Sequence, residues 1–318
     1  MTRLPQTGWL ADGRRLHLQD GPIDLIVEAS GTAIHVRAAY EAAIRQFTGL
    51  LDTLCDELPE LRRAAHPDMC ALQGCVARRM HAAVAPFAAA SFITPMAAVA
   101  GAVAEGILDA MTASADLERA YVNNGGDIAL HLTGDERFTV GLADDPGTPS
   151  LIGKTIIEAR DPIRGIATSG WHGRSFSLGI ADAVTVLART ASQADAAATI
   201  IANAVDLPGH PLIVRRPANE IQPDNDLGAR LVTRGVGKLS HQKIAEALGA
   251  GICKAQELLA AGLIDGAALH LQGVTEVVGL KDIHSSVRLP RKETATGTKD
   301  MRHAAMACGN GIAGECVA

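Results

Sequence analysis

An aspartate and a threonine one helical turn apart are the residues whose spacing points most directly to chemistry. The run 181–204 reads as a buried strand followed by a short helix with Ser192 as its predicted N-cap. Asp195 and Thr199 are four residues apart, so their side chains should project from one helix face. A carboxylate and a hydroxyl on a rigid element suit Mg²⁺. The alternative is structural, because an acid three residues after a Ser N-cap resembles a capping box.

Two short runs of small polar residues predict an anion-binding cleft beside this helix. The segment 121–132 reads as strand, turn and strand, and the turn holds two glycines whose backbone N–H groups can face an anion. The segment 164–173 reads as a strand that ends in a second small polar turn. The predicted ligand contacts are Asn124, Gly125, Gly126, Asp127, Thr168, Ser169 and Gly170. The first turn is equally consistent with a plain Asn-Gly hairpin, and the second with a capped sheet edge.

Composition and charge limit the classes of protein to which the chain can belong. The chain has 318 residues, of which 47% are hydrophobic but only 3% aromatic, and its net charge is −6. An acidic, aromatic-poor chain argues against nucleic-acid binding. The N-terminus has no apolar signal segment, and two prolines interrupt the uncharged run 82–104. We therefore expect a cytoplasmic protein without a membrane span, with a small anionic molecule as partner; a homodimer is compatible with the sequence.

The cysteine spacings match no zinc site and no disulfide framework, so the thiols are expected to be reduced and partly buried. The periodicity predicts an N-terminal hairpin within 1–29, helices over 32–58, 71–86 and 240–261, and a helix that starts at Pro95. Strands lie between these helices, and residues 281–318 read as a peripheral tail. Runs of strands with segregated helices predict the α+β class. A helix-then-strands unit recurs at about 94–168 and 192–236, which predicts an internal duplication.

Four stretches together resemble the ApbE-like superfamily, whose founding members are FAD:protein FMN transferases. The run GAVAEG at 101–106 resembles a GxxAKG helix, and VNNGGDI at 122–128 resembles a VNxGGDI loop. The run ATSG at 167–170 and the segment 184–199, with VTV, AD and Thr, resemble two further family motifs. The likeness is greatest to an uncharacterised branch of the superfamily and covers about residues 5–280, which implies a single domain.

The resemblance implies an α+β, T-fold-like architecture with two related β-α-β units and helices packed on antiparallel sheets. It also implies a Mg²⁺ site formed by Asp195, Thr199 and the backbone carbonyl of Ala102. Both the metal and the capping interpretation of Asp195 can hold together. FAD or another flavin is the cofactor that the resemblance implies.

Two departures from the family pattern bear on the reaction. A flavin-contacting HxxDPxTG segment is replaced here by the shorter run 171–182, and the Lys of GxxAKG is Glu105. His172 and Arg174 replace part of the family's flavin-contacting segment and are candidate substrate contacts. The alternative is that both are exposed loop residues without a role. The sequence thus favours a Mg²⁺-dependent transferase that handles a flavin or nucleotide. The alternatives are a protein for another phosphorylated or anionic metabolite on the same fold, or a non-catalytic scaffold.

Overall fold

The computed structural model of the chain describes residues 4–143, 151–279 and 315–317. The strands are β1 (Gln6–Trp9), β2 (Leu16–Asp20), β3 (Ile23–Ser30), β4 (Arg119–Asn124), β5 (Asp127–Leu132), β6 (Arg137–Ala143), β7 (Leu151–Glu158), β8 (Gly165–Ser169), β9 (Ala183–Ala188), β10 (Ile213–Pro217), β11 (Leu231–Val236), β12 (Gly266–Leu271), β13 (Val274–Val278) and β14 (Glu315–Val317). The helices are α1 (Ala33–Phe47), α2 (Leu50–Asp56), α3 (Leu58–Leu61), α4 (Cys75–Ala88), α5 (Val99–Ser114), α6 (Ala191–Ala204), α7 (Ala218–Ile221) and α8 (His241–Ala260). This mixture of helices and mainly antiparallel strands confirms the predicted α+β class.

Nine strands of the described chain form the main sheet, in the order β1-β2-β3-β4-β5-β8-β9-β12-β13, and every neighbouring pair is antiparallel. The sheet has two similar halves. The first runs from hairpin β2–β3 through α1 to α5 and into hairpin β4–β5. The second runs from β8–β9 through α6 to α8 and into β12–β13. The predicted units have other bounds. The first, 94–168, begins later than the first half and runs on through β6 and β7 into β8. The second, 192–236, ends before β12, and its β10–β11 hairpin forms a separate two-stranded sheet.

Apolar side chains cover both faces of the main sheet in its centre. In β9 all six residues are buried, because Val184 and Val186 face the large core under the helices while Leu187 faces a smaller core. That smaller core is built around Phe138 and Ile157 of the β6–β7 hairpin. Further out, β2 alternates buried and half-buried residues, the pattern of a strand covered on one face.

Two predicted helices have different bounds in the structure. The helix expected over 32–58 is broken into α1, α2 and α3, because Gly49 adopts a left-handed φ of 79° that α-helices do not accommodate. The helix expected over 71–86 begins only at Cys75, since the Glu57 carboxylate accepts the N–H groups of Gln73 and Gly74 and holds them outside it. The predicted tail 281–318 lies outside the described residues apart from β14, which pairs in parallel with β6.

The helices α5 and α6 cross in close backbone contact beneath the sheet. A Cβ on Gly101 would lie 2.3 Å from the Ala191 carbonyl oxygen and 2.8 Å from the Ser192 nitrogen, so only glycine fits at this crossing. By length and composition, the helical run Pro95–Ser114 passes the test for a membrane span, a test that buried core helices also pass. In the fold this run packs against α1, α6 and β5.

Candidate functional site

The position of Asp195 is fixed by two helix starts that lie side by side. The side chain of Thr190, and not the predicted Ser192, is the N-cap of α6 and accepts the N–H of Gln193. Asp195 therefore lies two residues beyond the capping-box position of α6, and the interpretation that it caps its own helix is wrong. Its Oδ2 atom accepts the N–H of Gly101 at 2.9 Å, so the carboxylate caps the first turn of α5.

The first turn of α6 is capped in the same way by a side chain of α5. Glu105 Oε2 accepts both the backbone N–H and the hydroxyl of Ser192, at 3.1 and 2.7 Å. Its other oxygen lies 3.3 Å from Arg79 of α4. Asp195 and Glu105 thus cap each other's helices across the crossing at Gly101. Glu105, which stands where the family motif has Lys, acts here as a structural anion.

Asp127 is the second acidic residue of the candidate site. It begins β5, directly after the glycine turn, and its Oδ1 atom accepts the N–H of Thr168 at 3.2 Å. Burial raises its pKa well above the ordinary range for Asp; the nearby Asp195 raises it further, while Thr168 N–H and Arg174 lower it. The two carboxyl groups are therefore close enough to repel each other when both are charged.

Burial likewise raises the pKa of Asp195, from 3.8 to about 7, against the opposing effect of the N–H groups of Gly101 and Ala100. Both aspartates are only half-buried and so retain contact with solvent. Two half-buried carboxyls with raised pKa values form a site that a bound cation would stabilise in the charged state.

Arg174 crosses the glycine turn beside this acid pair. A Cβ on Gly125 would lie 2.1 Å from Arg174 Nη2, so the absence of a side chain at Gly125 makes room for the guanidinium. Gly125 also has a positive φ of 66°. Arg174 Nη1 donates to the Pro22 carbonyl at 3.3 Å, and the residue is exposed. The Arg174 guanidinium is therefore exposed to solvent beside the acid pair, where it is accessible to an anionic ligand.

His172 pairs with an acid that the sequence analysis missed. Asp182 Oδ1 accepts the Trp171 indole N–H at 3.0 Å and lies 3.2 Å from His172 Nε2, while its Oδ2 accepts the Gln272 N–H. The rings of Trp171 and His172 stack with centroids 3.8 Å apart. The only sequence signal for Asp182 is its place as the last residue of the replaced run 171–182, directly before β9. Asp182 thus anchors the turn that carries His172 and Arg174.

Several backbone donors predicted to hold an anion are engaged inside the protein. Gly126 N–H donates to the Asn123 side chain at 2.8 Å, and Thr168 N–H donates to Asp127. The Thr168 hydroxyl bonds the Thr185 hydroxyl at 2.9 Å, and the Asn124 amide donates to the Ala100 carbonyl. These hydrogen bonds connect the strands and helices around Asp127 and Asp195. They leave Arg174 as the main cation there, and they make a phosphate nest of backbone N–H groups a poor description of the site.

The remaining predicted ligands lie on the same two helices. Thr199 is half-buried and follows Asp195 by one turn of α6, whereas Ala102 is fully buried in α5 next to Gly101. Ser169 and Gly170 end β8 beside the anchored turn. Within the described ranges, no group of three His, Cys, Asp or Glu side chains is placed to hold a metal ion. Two carboxylates still fit Mg²⁺, which is usually bound by one or two carboxylates together with waters and ligand phosphates.

The chain is similar in sequence to a known protein family and to individual proteins, and more weakly similar in structure to a solved protein. The profile of a family described as "AbpE bacteria" matches residues 7–277. A UPF0280 protein of Methanosarcina barkeri is 35% identical over 185 residues, which cover 58% of this chain and 70% of that protein. A UPF0280 protein of Methanosarcina acetivorans is 36% identical over the same length and coverage. The apo crystal structure of Pseudomonas stutzeri flavinyl transferase ApbE is 11% identical, with a TM-score of 0.40, over 86% of this chain and 93% of that chain.

Proposed function

The chain belongs to the AbpE bacteria family, an uncharacterised branch of the ApbE-like superfamily, and on that premise we propose that the acidic site formed by Asp127 and Asp195 binds Mg²⁺ with a phosphorylated ligand. The ligand class that we propose is a flavin or a nucleotide. The observation that carries the proposal is the pair of half-buried carboxyls: burial raises the pKa of each, and the nearby Asp195 raises that of Asp127 further. Because the nearby backbone donors are engaged, the ligand's phosphate would be held through the cation and Arg174.

The residues of the acidic site have distinct roles in this proposal. Asp195 and Asp127 would hold the cation, with Thr199 and the Ala102 carbonyl as further oxygen donors. The exposed Arg174 would bind a phosphate oxygen through a charge-assisted hydrogen bond. When bound, Mg²⁺ would neutralise phosphate charge and polarise a phosphorus–oxygen bond.

A second candidate function is the binding of another small anionic metabolite without transfer of FMN. Glu105 supports this alternative, because it is fully used in capping Ser192 and pairing with Arg79. The helix position that carries Lys in the resembled motif therefore offers no cation to a flavin phosphate. The two functions share the metal and differ in the ligand and in turnover.

Metal binding is tested by titrating the metal-free protein with Mg²⁺ in a calorimeter, with and without FAD. We expect a saturable Mg²⁺ signal that Asp195→Asn abolishes. The matched control is Asp52→Asn, which removes one negative charge from an exposed position on α2. The proposal is wrong if wild-type protein and Asp195→Asn bind Mg²⁺ alike.

The reaction is tested separately, by incubating the protein with FAD, Mg²⁺ and acceptor protein. Released AMP together with a flavinylated acceptor supports the transferase. Mg²⁺-dependent binding of FAD or of a nucleotide without AMP release supports the second candidate.

A further inference from the structure

Among the residues that the structure describes, the first strand has a neighbour on one side only. In the described structure β1 pairs only with β2 and ends the strand order, and all four of its residues are exposed. Leu10 N–H donates to the Arg15 carbonyl on the β2 side. Since antiparallel strands alternate in hydrogen-bonding direction, Thr7 and Trp9 point their N–H and C=O groups away from β2. The edge therefore offers two donors and two acceptors.

The sequence of β1 lacks the devices that keep sheet edges apart. Gln6–Trp9 contains no charged residue and no proline, whereas charge, proline and bulges are the usual protection of an exposed edge. At the opposite edge, β13 carries the exposed Glu276 at its centre. The two edges of the same sheet thus differ, and β1 is the one suited to pairing with another strand.

An apolar surface with both charge signs adjoins this edge. A groove of ≈ 560 Å³ lies between the N-terminal hairpin and α1, and Trp9, Arg14, Arg37 and Glu41 are among its lining residues. Trp9 is 57% exposed, and Ile34, one turn before Arg37 on α1, is 74% exposed. Arg14 pairs with Glu28 and Arg37 pairs with Glu41 within the chain, so the charges of this surface are locally balanced. Two copies can therefore meet across a two-fold axis without repulsion between like charges.

We propose that this edge and groove form the dimer interface between two copies of the chain. The two β1 strands pair antiparallel, with the two-fold axis at Gly8, so that Thr7 of each copy faces Trp9 of the other. This register is the symmetric one that uses all four outward backbone groups. Gly8 meets its own counterpart on the axis, and a Cβ there would have no neighbour within 4 Å in the single chain. The exposed Ile34 and the groove extend the contact beyond the strands.

The test measures the molar mass of the full chain by light scattering over a concentration series. We expect a species of twice the 33.0 kDa chain mass. Thr7→Pro removes an outward N–H without touching the β2 ladder, so it should give a monomer, while Thr7→Val keeps that N–H and should remain dimeric. Ile34→Glu, at an exposed position, should shift the dimer dissociation constant upwards by at least about tenfold through charge repulsion between copies.

Circular dichroism and thermal melting of each variant show whether it is folded. Because Ile34 is largely exposed in the single chain, Ile34→Glu keeps the test valid if the proline variant fails to fold. A wild-type protein that stays monomeric at every concentration overturns the proposal. A dimer that neither Thr7→Pro nor Ile34→Glu weakens also overturns it, because the interface would then lie elsewhere.

Discussion

Replacing Asp195 by asparagine should stabilise the metal-free protein at neutral and alkaline pH while it removes the metal site. The pKa of this carboxyl is raised from 3.8 to about 7. The folded protein therefore keeps a proton that the unfolded chain releases over that pH range. Stability falls as pH rises through this window, and the full penalty is present above pH 7. Asparagine is nearly the same size and keeps an oxygen that can accept the Gly101 N–H.

The size of the effect follows from the shift. About three pKa units at about 1.36 kcal/mol each set an upper limit of about 4 kcal/mol. The half-exposed position of Asp195 and the loss of a charge-assisted hydrogen bond to α5 lower the net gain to about 1–3 kcal/mol. Relief of the repulsion on Asp127 acts in the same direction.

The assay is urea unfolding of wild-type protein and Asp195→Asn in chelator at pH 8 and at pH 5, repeated with Mg²⁺. We expect the variant to be more stable at pH 8, with a smaller difference at pH 5, and to gain nothing from Mg²⁺. Asp52→Asn should stay within about 0.5 kcal/mol of wild type throughout. Equal destabilisation of Asp195→Asn at both pH values would refute the reasoning, because the carboxylate would then act only as the cap of α5.

Three further predictions concern other parts of the molecule. Gly101→Ala should destabilise the protein by about 1–3 kcal/mol or more in urea unfolding, because the added Cβ would meet the Ala191 backbone. Gly249→Ala in α8, where a Cβ would have no neighbour within 4 Å, should stabilise the protein by about 0.5–1 kcal/mol. Similar effects of both variants would contradict the close packing at Gly101. Arg174→Ala should weaken FAD or nucleotide binding by about 1.5–3 kcal/mol in calorimetry and leave the melting temperature without ligand almost unchanged, and an equal loss of both would make Arg174 structural. The described cysteines Cys55, Cys70, Cys75 and Cys253 are free, and they are exposed instead of partly buried as expected, so all four should react rapidly with a thiol reagent in the native protein; protection of any of them would contradict the structure.

Local sequence patterns were enough for the fold class and for the elements that carry the candidate site residues. Alternating strands around Gly21, the Asn-Gly turn before Asp127 and the strand-to-helix run that carries Asp195 all form where the periodicity predicts them. Each depends on hydrogen bonds and side-chain preferences within a few residues, which the sequence displays directly. The site assignments remain predictions: the metal rests on helical spacing and family resemblance, and the flavin on resemblance alone.

Only the tertiary structure decided which groups are left to bind a ligand. Thr190 replaces Ser192 as the cap of α6 because Glu105 of another helix takes the Ser192 N–H and hydroxyl. Asp195 reaches α5, and Asp127 takes the Thr168 N–H that the sequence assigned to an anion. Each of these contacts joins segments tens of residues apart. Each donor or acceptor has several candidate partners nearby in the sequence. Long-range packing determines which group it bonds in the folded protein.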